Sequence, residues 1–585
     1  MFISFSSFGL YAAPDRPDIF VKGDYLSGIN YIQEFADYHR EENEIPGLSY
    51  ALINGDEIIW QGGLGVSDKS KGTKANEFTQ YRAGALSTLI TATLVLQLEH
   101  EGKLKLDDPV SKYFPESQFS HRNKSTTIKH LLTHHAGLPL SYFKGMWSET
   151  PPTLKETASI IAKSPLSYPA DKIFAYSNLG YDLLGRIIEI VTNEKFQHVA
   201  EEKLFTRLGM DRSSFYWDKL DKDNLSQGYK DGDLKPFLAT RDIPALGLVS
   251  NVIDLAAFAQ ATMNLLPKAK GVMPVNSWEK MIERHNQHVK LDLNKGIGLG
   301  WQIGGMETKY HKPIVWRQGA TLLHRSRIAM IPELGLGIVI MANSSKGFRA
   351  LDTISNEALD VLLEIKLGKL EEKEAELNAG FPGELTNFKN LYSTFIGLLK
   401  SNKEDDSYVL DVMGWEVVLK PVIDGWYRLE YDLLGFIPLK LDWFAKIRVA
   451  AARLDGVDVA ILQHKGVNYL FGMAVEQTAF SKKWQKRIGV YGPKERDALL
   501  DHYDIQEGEL KLYEGVLVFE YELPAFLPLK LRLPLMPISD DEAIVPGLGT
   551  GLGERVSVVR DEQGEYFLYS GYKLVAKPEN SFFSF

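Results

Sequence analysis

The sequence predicts an α+β domain over residues 21–367, followed by two small all-β barrel-like repeats at residues 368–480 and 481–585. Three observations support this architecture. Strand patterns stand at both ends of the first region with helical patterns between them, the composition changes near residue 368, and a segment of the C-terminal region occurs twice. Strands at both ends of a domain with helices between them are typical of layered α+β folds.

Periodicity locates the main elements of the first domain. Apolar residues at helical spacing predict helices over residues 27–40, 86–101, 181–191 and 252–265. Alternating and β-branched residues predict strands over 48–53, 58–65, 328–331 and 336–341. The last two strands flank Pro-Glu-Leu-Gly at 332–335, which predicts a hairpin turn.

The C-terminal region reads as two copies of one all-β unit. A charge-rich segment at 366–376 predicts a helix end and linker. Residues 429–441 (LEYDLLGFIPLKL) then match residues 519–531 (FEYELPAFLPLKL), and similar strands follow at 469–472 and 567–571. Two copies of a strand-rich unit predict two small antiparallel barrels or sandwiches.

The composition excludes several classes of function. The chain has 585 residues, of which 44% are hydrophobic and 24% are charged, and its formal net charge is −10. A nucleic-acid binder would need a concentrated basic surface, so no nucleic-acid partner is expected. The lack of cysteine excludes disulfides, thiolate nucleophiles and cysteine-bound metals. We expect no metal and no cofactor.

The N-terminal residues indicate export. Residues 2–10 are apolar and rich in small residues, and Tyr-Ala-Ala-Pro follows at 11–14, which together resemble the end of a secretory signal. A positive leading segment is missing, and a disordered terminus is the alternative. Residues 1–20 are therefore interpreted as a signal-peptide remnant, and the expected location is periplasmic or secreted. No later apolar run reaches the ~18 residues of a membrane helix.

Several motifs of the first domain occur in a recognisable order. They are residues 81–88 (YRAGALST), 101–110 (EGKLKLDDPV), 127–139 (TIKHLLTHHAGLP), 174–181 (FAYSNLGY), 208–210 (LGM), 247–250 (GLVS), 317–319 (RQG) and 342–344 (ANS). In order and spacing this series resembles the serine β-lactamase and penicillin-binding-protein family, close to the class C β-lactamases and D-alanyl-D-alanine carboxypeptidases. The resemblance covers roughly 320 residues.

The resemblance implies a β-lactamase/transpeptidase-like fold. A five-stranded antiparallel sheet packs against helices, with a helical subdomain inserted, and the active site lies in the cleft between them. The family's nucleophile is a serine at the start of a helix, and a lysine three residues later lies on the same helical face and accepts its proton. A Tyr-x-Asn motif and a Lys-Thr-Gly or His-x-Gly strand complete the site.

Three positions depart from that pattern. Ala85 occupies the nucleophile position and Thr88 the lysine position, whereas Tyr176 and Asn178 are retained. The third motif reads Arg317-Gln318-Gly319, and an arginine can hold an anion but cannot shuttle protons. In a serine protease, losing the nucleophile or its base costs on the order of 10⁶-fold in kcat. An engineered Ser→Ala change at position 85 would not explain the other two departures, which favour natural degeneration.

Ser87 is the alternative nucleophile. It lies two residues beyond position 85, about 200° around a helix, so we expect it to point away from the cleft. Its other interpretation is a packing hydroxyl.

His134 and His135 lack a second ligand at helical spacing, which disfavours zinc. His134 matches a family position and is interpreted as a structural hydrogen-bonding residue.

These motifs lead to three hypotheses of function. The first is a non-acylating binding protein whose cleft holds a small molecule or peptide, with a carboxylate of that ligand on Arg317. The second is an enzyme with different chemistry, in which Tyr176 acts as acid or base and Arg317 stabilises negative charge. The third is a residual serine hydrolase that uses Ser87.

A cationic rim formed by His324, Arg325 and Arg327 is a further candidate feature, and a solvated strand end is its alternative. The oligomeric state is left open.

Overall fold

The computed structural model describes two stretches of the chain. They are residues 12–368, apart from 116, 118, 120–125 and 311, and residues 381–577, apart from 413–414, 424, 431, 434–436, 439–446, 465–466, 524–528 and 563. The signal-like segment at 2–10 lies outside the described residues, as do residues 369–376 of the charge-rich linker.

The first domain contains one large antiparallel sheet and three small ribbons. Its strands are β1 (Gly47–Asn54), β2 (Glu57–Asp68), β3 (Thr73–Lys74), β4 (Tyr81–Arg82), β5 (Trp147–Ser148), β6 (Gly228–Lys230), β7 (Asp233–Lys235), β8 (Ala239–Thr240), β9 (Val249–Ser250), β10 (Gly296–Ile297), β11 (Gln302–Ile303), β12 (Val315–Ala320), β13 (Arg325–Ile331) and β14 (Leu336–Ala342). The sheet runs in the order β10-β11-β12-β13-β14-β1-β2-β3, and the ribbons pair β4 with β9, β5 with β8 and β6 with β7.

Four α-helices of this domain, at 25–42, 87–100, 178–192 and 252–262, follow the predicted periodic segments with ends within about three residues. In all, the described residues of the domain form eleven α-helices. They are α1 (Tyr25–Glu42), α2 (Ser87–His100), α3 (Ile128–Leu132), α4 (Leu154–Lys163), α5 (Asn178–Thr192), α6 (Phe196–Ala200), α7 (Thr206–Leu208), α8 (Ile243–Leu246), α9 (Val252–Thr262), α10 (Val275–Ile282) and α11 (Gly347–Leu367). Short polar side chains cap several of them, since Asp24 accepts from the Ser27 amide and Ser177 from the Gly180 amide.

The two faces of the sheet carry separate hydrophobic clusters. In β14, Ile338 and Ile340 pack toward α1 and α11, whereas Val339 and Met341 belong to the cluster that contains α2 and α9. This division follows from the period of two along a strand. The sheet is therefore buried on both faces, and every residue of β14 is apolar and buried.

The sheet is wider than the five strands that the resemblance implied. Strands β12, β13, β14, β1 and β2 form a five-stranded centre, and the two-residue strands β3, β10 and β11 extend it at both edges to eight strands. The predicted turn at 332–335 is a short 3₁₀ helix, Pro332–Leu334, that ends on Gly335 with a left-handed φ of 64°. A glycine accepts that conformation without strain.

The C-terminal region forms two antiparallel barrels, as the repeat predicted. The first consists of β15 (Glu384–Thr386), β16 (Leu391–Thr394), β17 (Gly397–Glu404), β18 (Ser407–Val412), β19 (Trp415–Ile423), β20 (Trp426–Glu430), β21 (Asp432–Leu433), β22 (Ile437–Pro438), β23 (Ile447–Leu454), β24 (Val457–His464) and β25 (Val467–Ala474). Pairing between β23 and β24 closes it, while β21 and β22 form a separate ribbon.

The second barrel is closed in chain order. It consists of α12 (Lys482–Lys486), β26 (Gly489–Pro493), α13 (Ala498–Tyr503), β27 (Gly508–Tyr513), β28 (Val516–Leu523), β29 (Leu529–Pro537), β30 (Glu542–Ile544), β31 (Arg555–Asp561), β32 (Gly564–Tyr569) and β33 (Tyr572–Ala576).

The repeated segment does not occupy equivalent places in the two barrels. The first copy begins in β20, the fifth strand of the closed meander that starts at β16, and the second copy begins in β28, the third strand of its barrel. Residues 431, 434–436, 439–441 and 524–528 of the two copies lie outside the described residues. The sequence match therefore indicates two similar strand-turn-strand segments, which do not occupy the same position in the strand order of their barrels.

The second barrel docks on the first domain through hydrogen bonds. The Gly145 amide donates to Asp497 (3.1 Å), the Leu140 amide to Glu554 (3.1 Å) and the Phe143 amide to the Ser570 hydroxyl (3.1 Å). The first barrel docks mainly by an apolar cluster that joins Tyr168 and Leu291 to Trp426. In the part of the chain that the structure describes, no helix has the length and hydropathy needed to cross a membrane.

One close backbone contact joins the start of α2 to strand β12. Gly84 has a left-handed φ of 54°, and a Cβ there would lie 2.7 Å from backbone atoms of Ala320. A Cβ on Gly319 would lie 2.0 Å from the Ala83 carbonyl oxygen. Because real Cβ atoms do not approach backbone this closely, both positions require glycine.

We expect Gly319→Ala to destabilise the first domain by about 1–3 kcal/mol, because the added methyl forces the two segments apart. Thermal unfolding of the full chain measures the change in Tm of that domain's transition. Gly271→Ala is the matched control, since a Cβ at Gly271 meets no atom within 4 Å. Equal Tm losses in the two variants would contradict the assigned contact.

Candidate functional site

The start of α2 carries the predicted nucleophile and lysine positions. Ala85 lies in a short 3₁₀ turn, Gly84–Leu86, and its side chain faces the cleft. The Thr88 hydroxyl donates to the Ala85 carbonyl (2.6 Å), and Thr88 is fully buried. Thr88 is not among the residues that line the cleft. Its hydroxyl is thus held by main chain.

Ser87 lies away from the cleft, in a buried position between backbone groups. Its hydroxyl donates to the Gly84 carbonyl (2.6 Å) and accepts from the Leu248 amide (2.9 Å). Ser87 is fully buried and does not line the cleft. The hydroxyl thus uses both its donor and its acceptor capacity in hydrogen bonds that join the start of α2 to the segment leading into β9.

Tyr176 and Asn178 reach the cleft because the segment before α5 is fixed to residues 134–140. The Ala175 amide donates to the His134 carbonyl (2.8 Å), and the Asn178 amide donates to the Leu140 carbonyl (2.9 Å). Both Tyr176 and Asn178 line the cavity. Among the described residues, neither the Tyr176 hydroxyl nor the Asn178 Oδ1 has a hydrogen-bond partner. Burial raises the pKa of Tyr176, and the Arg317 charge opposes the shift.

Arg317 points from β12 toward these residues. Its Nε lies 3.5 Å from the Ala85 carbonyl oxygen, and its guanidinium carbon lies 5.2 Å from the centroid of the Tyr176 ring. The side chain is only 2% exposed. No carboxylate of the described residues forms an ion pair with it. A buried cation of this kind is costly unless a counter-charge is supplied.

His134 lies beside Arg317 as a neutral ring. Burial, and to a lesser degree the Arg317 charge, hold the pKa of His134 well below its usual range. The Ser177 amide donates to Nδ1 (3.1 Å), so the proton of the neutral ring is on Nε2. Nε2 is 3.3 Å from Nη2 of Arg317. Two N–H groups therefore face each other without an acceptor between them.

The nearest buried carboxyl groups are engaged elsewhere. Asp242 pairs with Arg241 (2.6 Å) and accepts from the Ser141 hydroxyl (3.0 Å). Asp182, one turn into α5, is fully buried, and burial together with the Asp242 charge raises its pKa well above the usual range. Neither Asp182 nor Asp242 forms an ion pair with Arg317.

The cleft encloses a cavity of about 660 Å³. Its polar side chains come from Tyr176, Asn178, Gln302, Arg317, Gln318, Thr321, Arg325, Tyr503 and Thr550. Within the described ranges, no aspartate, glutamate or lysine lines it. Gly319 is not in the lining and instead makes the close contact with Ala83. The cavity thus combines two guanidinium groups with neutral polar and apolar walls.

The second barrel supplies part of the cavity wall, which the sequence motifs did not predict. Leu499, Tyr503, Ile505 and Thr550 line it. The Thr550 hydroxyl accepts from the Tyr176 amide (2.9 Å). Thr550 lies in a segment with glycine at 547, 549, 551 and 553, and a Cβ on Gly553 would lie 2.9 Å from the Tyr168 ring. Alternating glycines are the sequence signal for this close approach.

The three residues proposed as a cationic rim separate in the structure. Arg325 lines the cavity and donates to the carbonyls of Thr321 and His324. Arg327 instead bonds Asp352 (2.5 Å). His324 is buried, and its burial beside Arg82 and Arg325 lowers its pKa to about 3. Only Arg325 of the three thus adds positive charge to the cleft.

The histidine pair does not form a metal site. His135 bonds Asp292 (2.8 Å), while His134 faces Arg317. Elsewhere, Glu194, His198 and Glu202 place three ligand atoms within 4.8 Å of one another on an exposed surface, and none of them lines the cleft.

A sheet packed between helices, with a cleft between residue 85, a Tyr-x-Asn segment and the end of β12, defines the class of β-lactamases and penicillin-binding proteins. The family model named Beta-lactamase matches residues 31–361. The chain belongs to this family.

Individual relatives are distant. Protein flp of Staphylococcus aureus is 24% identical over 324 residues, which cover 53% of this chain and 62% of that protein. A Beta-lactamase of Providencia stuartii is 28% identical over 269 residues, which cover 45% of this chain and 65% of that protein. The matched region therefore spans less than two thirds of either relative.

Two solved structures extend the likeness beyond the first domain. The octameric penicillin-binding protein homologue from Pyrococcus abyssi is 24% identical with a TM-score of 0.51. SurE, solved with D-Leu, is 19% identical with a TM-score of 0.54. Each match covers 76% of this chain and 99% of the other. At these identities the likeness shows the fold alone.

We expect Ser87→Ala to lower stability by about 1–3 kcal/mol, because it leaves the buried Leu248 amide without an acceptor. Hydrolysis of p-nitrophenyl acetate should be the same in this variant and in the wild-type chain. Ser164→Ala, which removes a hydroxyl near the surface, is the control for stability. A selective loss of ester hydrolysis in Ser87→Ala would establish the residual-hydrolase hypothesis instead.

Proposed function

We propose that this member of the β-lactamase family binds a carboxylate-bearing small molecule or peptide in its cleft and forms no acyl-enzyme. The observation that carries the proposal is the buried guanidinium of Arg317, which has no acidic partner among the described residues. A carboxylate there would accept charge-assisted hydrogen bonds, which are about twice as strong as neutral ones.

The neighbours of Arg317 support an anionic ligand. His134 presents an N–H toward Arg317 in place of an acceptor, and Arg325 adds a second guanidinium to the lining. An oxygen of a bound carboxylate would satisfy donors that the chain leaves unpaired. The unpartnered Asn178 Oδ1 and Tyr176 hydroxyl would then accept from, or donate to, an amide of the same ligand.

The absence of acylation is inferred from the residues at the start of α2. Ala85 has no atom that can attack a carbonyl, and the Thr88 hydroxyl is bonded to main chain. The lining hydroxyls belong to Tyr176, Thr321, Tyr503 and Thr550, and no described lysine is in the lining to take a proton from them. Covalent catalysis needs a nucleophile with an adjacent base.

Incubation with a fluorescent penicillin should therefore leave the intact mass of the chain unchanged. A penicillin-binding protein with a complete Ser-x-x-Lys motif, treated in parallel, shows that the reagent is active. A stable adduct on this chain would overturn the non-acylating proposal, and peptide mapping would then identify the attacking residue.

We expect Arg317→Gln to weaken binding of N-acetyl-D-alanyl-D-alanine by about tenfold or more, because a charged hydrogen bond contributes about 1.5–3 kcal/mol. Calorimetric titration measures the Kd. The same dipeptide with a C-terminal amide should bind both chains equally weakly. Arg207→Gln is the matched control, since Arg207 bonds the Gly271 carbonyl at the surface. Equal affinities of the two variants would contradict the role of Arg317.

A second candidate is an enzyme with non-acyl chemistry, and the buried, unpartnered Tyr176 hydroxyl favours it. Since burial raises the pKa of Tyr176, the phenol would act as a proton donor and not as a base. Turnover of a metabolite extract by the wild-type chain should, on this hypothesis, be lost in Tyr176→Phe. Unchanged turnover in that variant would remove the phenol from the mechanism.

A further inference from the structure

A second cavity, of about 400 Å³, lies where the first domain meets both barrels. The first domain contributes Phe174 and Lys295, the first barrel contributes Asn468, and the glycine-rich segment of the second barrel contributes Thr550. Phe174 and Thr550 also line the cleft cavity. The two cavities are therefore neighbours with a shared wall, and each has its own polar groups.

Lys295 places an unpaired ammonium group at this cavity. Its Nζ lies 4.3 Å from the centroid of the Phe174 ring. Neither a hydrogen bond nor an ion pair links Nζ to any of the described residues. Burial lowers the pKa of Lys295, against the opposing charge of Asp292. A cation–π contact offsets only part of the cost of burying a charge.

Asp292, the acid in the same lining, is already committed. It accepts from His135 Nε2 (2.8 Å), from the Phe174 amide (2.6 Å) and from Asn286 Nδ2. These three donors hold the carboxylate in the first domain. Lys295 therefore has no direct counter-ion in the cavity, although Asp292 is near enough to favour its charge.

Asn468 adds a second free donor. It is 2% exposed, and its Oδ1 accepts from Gln463 Nε2 (2.9 Å). Its Nδ2 has no partner among the described residues. The backbone amide of Asn468 donates to Oδ1 of Asn294 (3.0 Å), and Asn294 directly precedes Lys295. The backbone segments that carry Asn468 and Lys295 are therefore neighbours. A buried amide N–H₂ without an acceptor is rare in native structures.

Apart from Tyr469, the rest of the wall is apolar. Leu291, Leu462, Leu470, Leu548 and Leu552 line the cavity. We propose that this interdomain cavity binds an amphiphilic monocarboxylate, with its carboxylate on Lys295 and Asn468 and its hydrocarbon body against the leucines. This site is separate from the cleft, and it is complete only when both barrels are docked.

Octanoate is the probe, titrated calorimetrically into the full chain. We expect saturable binding to the wild type, and a loss of about tenfold or more in Lys295→Met, since a charge-assisted contact is removed while chain length is kept. Lys290→Met removes an exposed lysine of the same segment, and it should bind octanoate as the wild type does. 1-Octanol, which has no charge, should bind the wild type and Lys295→Met equally.

Two further results decide the proposal. Asn468→Leu should weaken the binding of octanoate by about fivefold, the effect of losing one hydrogen bond. This variant also tests the site if Lys295→Met does not fold. Octanoate that binds Lys295→Met and the wild type equally, or that shows no saturation with the wild type, would overturn the proposal. Repeating the titrations with Arg317→Gln in every chain removes the carboxylate site proposed for the cleft, so the outcome at Lys295 does not depend on what the cleft binds.

Discussion

The geometry of the cleft depends on the contact between residues 83–85 and the end of β12. Gly84 and Gly319 allow backbone to approach backbone there, and the Ser326 hydroxyl donates to the Ala83 carbonyl (2.7 Å). The Ala83 amide in turn donates to the Leu248 carbonyl (2.8 Å). The start of α2 is thus held between the sheet and the segment before β9, which places Ala85 beside Arg317.

That arrangement leaves α2 buried and uncharged at its start. The hydroxyls of Ser87, Thr88, Thr91 and Thr93 each donate to a main-chain carbonyl, so none is left unsatisfied in the core. A lysine at position 88 would bring an ammonium group into this fully buried place. The positive charge of the site instead belongs to Arg317 on β12 and Arg325 on β13, which both line the cavity. The residues at 85, 88 and 317 are therefore physically consistent with one another.

The sequence predicted four helices and the central strands of the first domain, and it named some of the residues that line the cleft there. Periodicity and turn residues are local signals, and they located α1, α2, α9, β1, β2 and β14 within about three residues. The two-residue strands β3, β10 and β11 are too short to show a period, so the width of the sheet was missed. Ala85, Tyr176 and Arg317, named from the motifs, line one cavity, and Ser87 lies outside it, as its position on the helix predicted. Gly319, also named from a motif, is not in the lining.

The contribution of the second barrel could not be predicted, since docking between distant parts of a chain has no local pattern. The match between 429–441 and 519–531 correctly indicated two barrels, but it aligned the fifth strand of one with the third of the other. Alternating aromatic and apolar residues report that a segment is a strand, not its position in a meander. The glycines at 547–553 were the one visible signal of a close approach, and their partner could not be read from them.

On the proposed function, docking of the second barrel and binding of an anion at Arg317 are linked for an electrostatic reason. Thr550 and its neighbours cover the Tyr176 side of the cavity, and the Tyr168 hydroxyl donates to the Gly549 carbonyl (3.0 Å) to hold that segment in place. Excluding water lowers the effective dielectric around Arg317, which strengthens its attraction for a carboxylate. The same exclusion makes the empty site costly, because the cation loses hydration without gaining a partner. A bound carboxylate therefore stabilises the docked barrel by as much as docking strengthens its binding.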